Sequence, residues 1–131
     1  MTVLIGYVPN PVGEAALEAG LAEAAVHGDD VVILNSPRRG STVDADLVDQ
    51  DTDAALVARA AASGVTARVD HAEHGSDVVA TFESVVAATG ARLIVIGLRR
   101  RSPVGKLVLG SDAQRILLEA SVPVLAVKPT A

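Results

Sequence analysis

Cysteine is absent from the chain, which removes disulfides, thiolate metal sites and thiol nucleophiles together. Tryptophan is absent too, and the aromatic residues are one tyrosine, Tyr7, and one phenylalanine, Phe82. With so few large side chains, an interior must be filled mainly by Ala and Val, which requires helices to lie close against a sheet. No apolar run approaches the roughly 20 residues that cross a bilayer, and the opening Met-Thr-Val-Leu-Ile-Gly has neither a basic leader region nor a cleavage site. The expectation is a cytoplasmic protein with no membrane partner. Positive charge is in deficit as well, 11 Lys and Arg against 16 Asp and Glu, giving a formal charge of −5 and a pI near 5.0. Together with the scarcity of aromatics, this argues against a nucleic-acid partner, whose binder would carry a broad basic face or stacking rings.

The positive charge that exists is concentrated. From Gly97 to Ser111 the chain reads Gly-Leu-Arg-Arg-Arg-Ser-Pro-Val-Gly-Lys-Leu-Val-Leu-Gly-Ser, and Arg99, Arg100, Arg101 and Lys106 are four of the chain's 11 Lys and Arg residues. An apolar run, Leu93 to Ile96, precedes this loop, and a helical stripe of Ala113, Ile116, Leu117 and Ala120 follows it. A cationic, glycine-bounded loop that opens a helix suits an oxyanion, a nucleotide phosphate above all, because the first helical amides lack intrahelical partners.

A length of 131 residues suits one domain, 1–131, able to bury roughly two thirds of its unfolded surface. Strands are expected at Thr2–Tyr7, Asp30–Leu34, Val65–Glu73 at an edge, Leu93–Ile96 and Val122–Val127. Helices are expected from about Val12 to Val26, from near Thr52 to Ser63, from a cap at Ser76 or Asp77 to Thr89, and over Asp112–Ala120, with stops at Gly28, Gly64 and Gly90. The acidic stretch ahead of Thr52 reads as loop or frayed helix. Alternation of strand and helix implies an α/β fold: a single doubly wound five-stranded parallel sheet, order 3-2-1-4-5, with helices on both faces. In that order the winding reverses between strands one and four, leaving a crevice at their carboxyl ends where Tyr7 to Pro9 and Gly97 to Arg101 would meet.

Other clusters read as structural. Asp44, Asp46, Asp49, Asp51 and Asp53 suggest a hard-cation loop, but Ala54 and Ala60 stand where its turn glycine and bidentate glutamate belong. His71, Glu73 and His74 lack zincin spacing. Gly105-Lys106-Leu107 has neither the spacing nor the hydroxyl of a Walker loop, and no Gly-x-Ser-x-Gly elbow occurs. Metal and catalytic residues are therefore expected to be absent.

Gly97, the nine-residue stretch Arg101 to Leu109, Gly110 and Ser111, with Gln114-Arg115-Ile116-Leu117 and Val122 to Lys128, make the whole chain resemble the universal stress protein family, whose fold is adenine nucleotide alpha hydrolase-like. Nucleotide-binding members carry a second glycine three positions after the first, where this chain has Arg100, and tend to end strand one with an aspartate, where it has Val8. Arg100 either blocks the pocket and strains the turn or offers a guanidinium fork to phosphate oxygens. The resemblance implies a dimeric stress-response binding protein for ATP or AMP, with magnesium accompanying ATP alone. Phosphates would be held by Gly110, Ser111 and Arg99 to Arg101, with Gly6, Tyr7, Val8 and Ser36 near the nucleoside and Gly97 opening the motif. The resemblance further implies a homodimer through the last strand (Val122, Pro123, Val124, Leu125, Ala126 and Val127) and an unknown protein partner. The alternatives are a dimeric interaction scaffold that binds no nucleotide, as members lacking the full motif are regarded, and a slow ATPase for which no general base can be named.

Overall fold

In the computed structural model, the residues described are 1–8, 10–35, 43–71, 77–100, 107–108 and 110–129, with backbone alone at 43–51, 99–100 and 107–108. The elements run β1 (Thr2–Tyr7), α1 (Pro11–His27), β2 (Asp30–Asn35), α2 (Val43–Ala62), β3 (Ala67–Asp70), α3 (Val78–Thr89), β4 (Ala91–Gly97), β5 (Arg99–Arg100), β6 (Leu107–Val108), α4 (Ser111–Glu119) and β7 (Val124–Val127). Five strands form a parallel sheet in the order β3-β2-β1-β4-β7, which is the expected 3-2-1-4-5 once the two-residue strands β5 and β6 are set aside.

Alternation along the strands divides the interior into two layers. Val3, Ile5, Tyr7, Val31, Ile33, Leu93 and Val95 face α1 and α2, where Ala16, Leu17, Leu21, Leu56 and Ala60 meet them. Leu4, Val32, Leu34, Ile94 and Ile96 face the other way, against Val79, Phe82, Val85 and Val86 of α3 and Ile116 of α4. Each fully buried aliphatic side chain contributes about 1.5–3 kcal/mol relative to exposure, so the near-continuous apolar runs of β1, β2 and β4 account for their central places.

Local signals set most boundaries. Asn10 has extended backbone and its side chain accepts from the Gly13 N–H at 3.0 Å, while Pro11 needs no N–H partner at the first helical position. Asp77 caps α3 through the Val79 N–H, and Gly90 ends that helix at φ 69°, a left-handed conformation that favours glycine. The structure departs from expectation at three elements. α2 begins nine residues before Thr52, at Val43, so the acidic stretch is helical. Of the expected Val65–Glu73, β3 takes Ala67–Asp70, residues 72 and 73 lying outside the described residues, and β7 starts at Val124, leaving Val122 and Pro123 ahead of it. Pro123 still belongs to the ladder through its carbonyl, which accepts from the Ile94 N–H at 3.0 Å.

Candidate functional site

β1 and β4 lie side by side in the middle of the sheet, Val3 to Ile5 opposite Leu93 to Val95, and the chain leaves them in opposite directions. Their carboxyl ends therefore bound the switch point of the winding, where α/β sheets bind ligands.

Beyond β4, the cationic loop folds back on itself. Arg99 pairs with Val108 and Arg100 with Leu107 in an antiparallel ribbon, and α4 begins three residues beyond Val108, at Ser111. Arg100 thus stands in extended backbone, which any residue adopts, so its occupation of the family's glycine position carries no strain of the left-handed kind. Arg101 and Lys106 lie outside the described residues, as does Ser36.

Gly110 is the N-cap of α4, and among the described residues no side chain caps this helix. α1 and α3, by contrast, have the Asn10 and Asp77 side chains on their first-turn amides. Among the described residues nothing lies within 4 Å of where a Gly110 Cβ would sit, and Ser111 is exposed. The first α4 amides carry the partial positive charge of a helix start. Asp112, also exposed, is in the same first turn. Arg115 is engaged elsewhere, on Asp77 at 3.0 Å and Glu119 at 3.2 Å; its guanidinium pKa is raised first by the Glu119 hydrogen bond and then by the charge of Asp77.

The remaining expected site residues are held by packing. A Cβ on Gly6 would lie 2.9 Å from Phe82 Cζ, and one on Gly97 would collide with the Val12 carbonyl at the start of α1. Tyr7 is buried, and its hydroxyl donates to Glu14 Oε1 at 3.0 Å; Glu14 in turn pairs with Arg59 at 2.5 Å, tying β1 to α1 and α2. Burial, then the Glu14 hydrogen bond and charge, push the Tyr7 hydroxyl up to about 12, against an opposing pull from Arg59. Val8 is half-buried, and its carbonyl accepts from the Asn10 N–H at 2.8 Å. Asn35, buried at the end of β2 opposite Tyr7, joins this rim unexpectedly; its one sequence signal is a carboxamide closing an apolar run.

A second surface lies at the β7 edge. The bonds Ile94 N–H to Pro123 C=O and Leu98 N–H to Val127 C=O fix Pro123, Leu125 and Val127 as the residues bonded to β4. In a parallel ladder, Val124 and Ala126 then direct their N–H and C=O groups outward. The proline's missing N–H falls on the β4 side, so it removes nothing from this outer edge. Leu125 is 39% exposed there.

The acidic and histidine clusters resolve differently. Asp44, Asp46, Asp49 and Asp51 lie in α2, Asp53 pairs with His71, and Glu73 and His74 are outside the described residues. Among the described residues no three His, Asp or Glu side chains group as metal ligands, and no helix is long and apolar enough to cross a membrane.

Comparison with known proteins agrees with the architecture. A universal stress protein from Mycolicibacterium smegmatis is 38% identical over 127 residues, 97% of each chain. The solved universal stress protein of Archaeoglobus fulgidus superposes with a TM-score of 0.80 at 28% identity over 98% of each chain. A structure of the universal stress protein from that organism in complex with dAMP gives a TM-score of 0.77 at 21% identity over 98% of each chain. Residues 1–128 match the profile of the Universal stress protein family, and the chain belongs to that family.

Proposed function

We propose that this chain is an adenine-nucleotide-binding, homodimeric stress-response protein of the cytoplasm, taking ATP or AMP in the crevice between β1 and β4 and acting through binding rather than dedicated catalysis. The observation that carries this reading is the α4 start: among the described residues no side chain caps its first-turn amides, and they follow closely on the ribbon that carries Arg99 and Arg100. Phosphate oxygens would accept from these amides and from Ser111, with Arg99, Arg100 and Arg101 supplying charge-assisted donors. Gly6, Tyr7, Val8 and Ser36 would border the nucleoside and Gly97 the turn into the loop. Magnesium would accompany ATP alone. The dAMP complex of a protein with the same fold supports a mononucleotide of this class. Occupation would order the ribbon between Gly97 and Ser111 and so alter the surface that a protein partner reads. The dimer would form across Val122, Pro123, Val124, Leu125, Ala126 and Val127.

A second reading has its own support. Gly6 and Gly97 each have a packing reason for lacking a side chain, the Tyr7 hydroxyl is engaged by Glu14, and Val8 brings no carboxylate. These favour a dimeric scaffold whose crevice takes no ligand. Denaturing the purified protein and assaying released adenine nucleotide, with calorimetric titration by ATP, AMP and cyclic AMP with and without magnesium, separates the two. Heat and a saturable isotherm support the nucleotide reading; no bound species and no heat at millimolar ligand leave the scaffold. Linear phosphate release above background would identify a slow ATPase instead.

A further inference from the structure

We propose that the outer edge of β3, with the trough it forms against α2, docks a single extended peptide segment of a partner protein by strand addition. Ala54, Val57, Ala58 and Ala61 recur at helical spacing on α2, and with Ala67 and Val69 of β3 they line an open groove of about 530 Å³. Small side chains form most of that wall, which leaves space for the side chains of an incoming strand.

Among the described residues the outer backbone edge beside the trough is unpaired. Val31 N–H donates to Thr66 C=O at 2.9 Å, and the register Val31 to Ala67 then turns Thr66, Arg68 and Asp70 toward β2. Ala67 and Val69 direct their N–H and C=O groups outward, and among the described residues β3 pairs with β2 alone. Main-chain bonds to such an edge supply affinity, while alternate side chains in the trough supply selectivity.

Charge defines the occupant further. Arg68 lines the groove, exposed and without a hydrogen-bond or ion-pair partner among the described residues. Asp53, also in the lining, pairs with His71 through Oδ2, but its Oδ1 is buried without a hydrogen-bond partner among the described residues. A buried acceptor left unmatched is costly, and a donor brought by the occupant would relieve it. The fitting segment is therefore extended, small or β-branched at alternate positions, with an acidic residue for Arg68 and an amide or lysine donor for Asp53.

Two-fold pairing of β3 with itself would bring a second α2 onto the face that α2 already covers, so a lone extended segment is the occupant that the trough favours over a second copy of this chain. A lone strand has no such helix.

The test selects displayed random heptapeptides on the 131-residue chain and titrates the enriched peptides after synthesis. The expected result is enrichment of alternating sequences carrying an acidic flank, slowed amide exchange at Ala67 and Val69, and affinity lowered at least about tenfold by Val69→Pro, which removes an outward N–H without touching the β2 ladder. Ala58→Glu, at an exposed helix position that does not put folding at risk, should weaken binding similarly, and Arg68→Glu should reverse the acidic preference. No enrichment, equal binding by Val69→Pro and Ala58→Glu, or protection confined to other elements would overturn the proposal. Self-association abolished by Ala58→Glu would overturn it in favour of a second copy.

Discussion

Gly97, the last residue of β4, is pressed against the carbonyl of Val12, so that any Cβ added there would occupy the space of the α1 backbone. The first glycine of the motif thus sets how closely α1 approaches the crevice. Gly97→Ala is expected to destabilise the fold by about 1–3 kcal/mol, the range for overpacking, because a backbone oxygen cannot rotate away as a side-chain tip can. Gly110, with φ at −62° and nothing among the described residues within 4 Å of an added Cβ, should accept alanine with a change within about 1 kcal/mol. Urea unfolding of the two variants checks this contrast, and equal losses would remove the distinction.

Tyr7 is the one tyrosine of the chain, so near-ultraviolet absorbance reports its ionisation without overlap. Its titration should fall near pH 12 in the folded protein, chiefly from burial and then from Glu14. The folded value lies above the unfolded one, so this group's stabilisation is complete below about pH 10 and disappears as pH rises through about 12. Glu14→Gln should shift the absorbance step downward by removing a negative charge beside the phenol. A step at the ordinary tyrosine value in the native protein would contradict the burial of Tyr7 and its bond to Glu14.

Where a sequence signal is local and steric, the fold was readable. Asp77 and Gly90 bracket α3 because a carboxylate cap and a left-handed stop act within one turn, and the apolar runs of β1 and β4 identify central strands. The start of α2 was hidden because alternating aspartates resemble a solvated loop, while the backbone carries them as helix. The β5–β6 ribbon has two residues a side, too few for any alternation to register. At the crevice, charge pointed to the loop, but a glycine required by Val12 or Phe82 looks the same in sequence as one required by a phosphate. That ambiguity lies in partners distant along the chain, which spacing alone does not reveal.

Gly110→Asp separates the two demands on the α4 start. An aspartate N-cap would accept from a first-turn N–H and raise helix stability by a few tenths of a kcal/mol, roughly the glycine-to-aspartate difference at such positions. The same carboxylate would occupy the proposed phosphate position and repel its charge. The expected outcome is a variant at least as stable as the parent that loses adenine-nucleotide binding in calorimetry. Retained affinity would move the phosphate away from Gly110 and Ser111.

At the opposite end of the sheet, Arg92 of β4 clasps Asp29, ahead of β2, through Nε at 2.8 Å and Nη2 at 2.6 Å, and reaches Glu23 of α1 at 3.4 Å. The Arg92 hydrogen bond is the main cause holding the Asp29 carboxyl below its ordinary range. A carboxyl depressed in the folded state stabilises at pH above its unfolded value, and that contribution disappears as pH falls through the folded one. Arg92→Met, which keeps the aliphatic stem, should make acid unfolding begin at higher pH with little change near neutrality in its slope against denaturant. Coincident acid transitions for parent and variant would show that the clasp carries no linkage.

The dimer proposed at β7 depends on the groups that Val124 and Ala126 direct away from β4. Ala126→Pro deletes one outward N–H while leaving the bonds of Leu125 and Val127 to β4 in place, so it acts on the interface rather than the ladder. Leu125→Lys places a charge on a residue already 39% exposed, a common way for edge strands to resist pairing. Both variants are expected to elute as folded monomers in light-scattering chromatography at concentrations where the parent is a dimer, with circular dichroism unchanged. If the parent is itself monomeric at high micromolar concentration, or both variants stay dimeric, the strand-to-strand interface is wrong; the exposed edge must then be kept from aggregation by its shortness, since β7 has four residues.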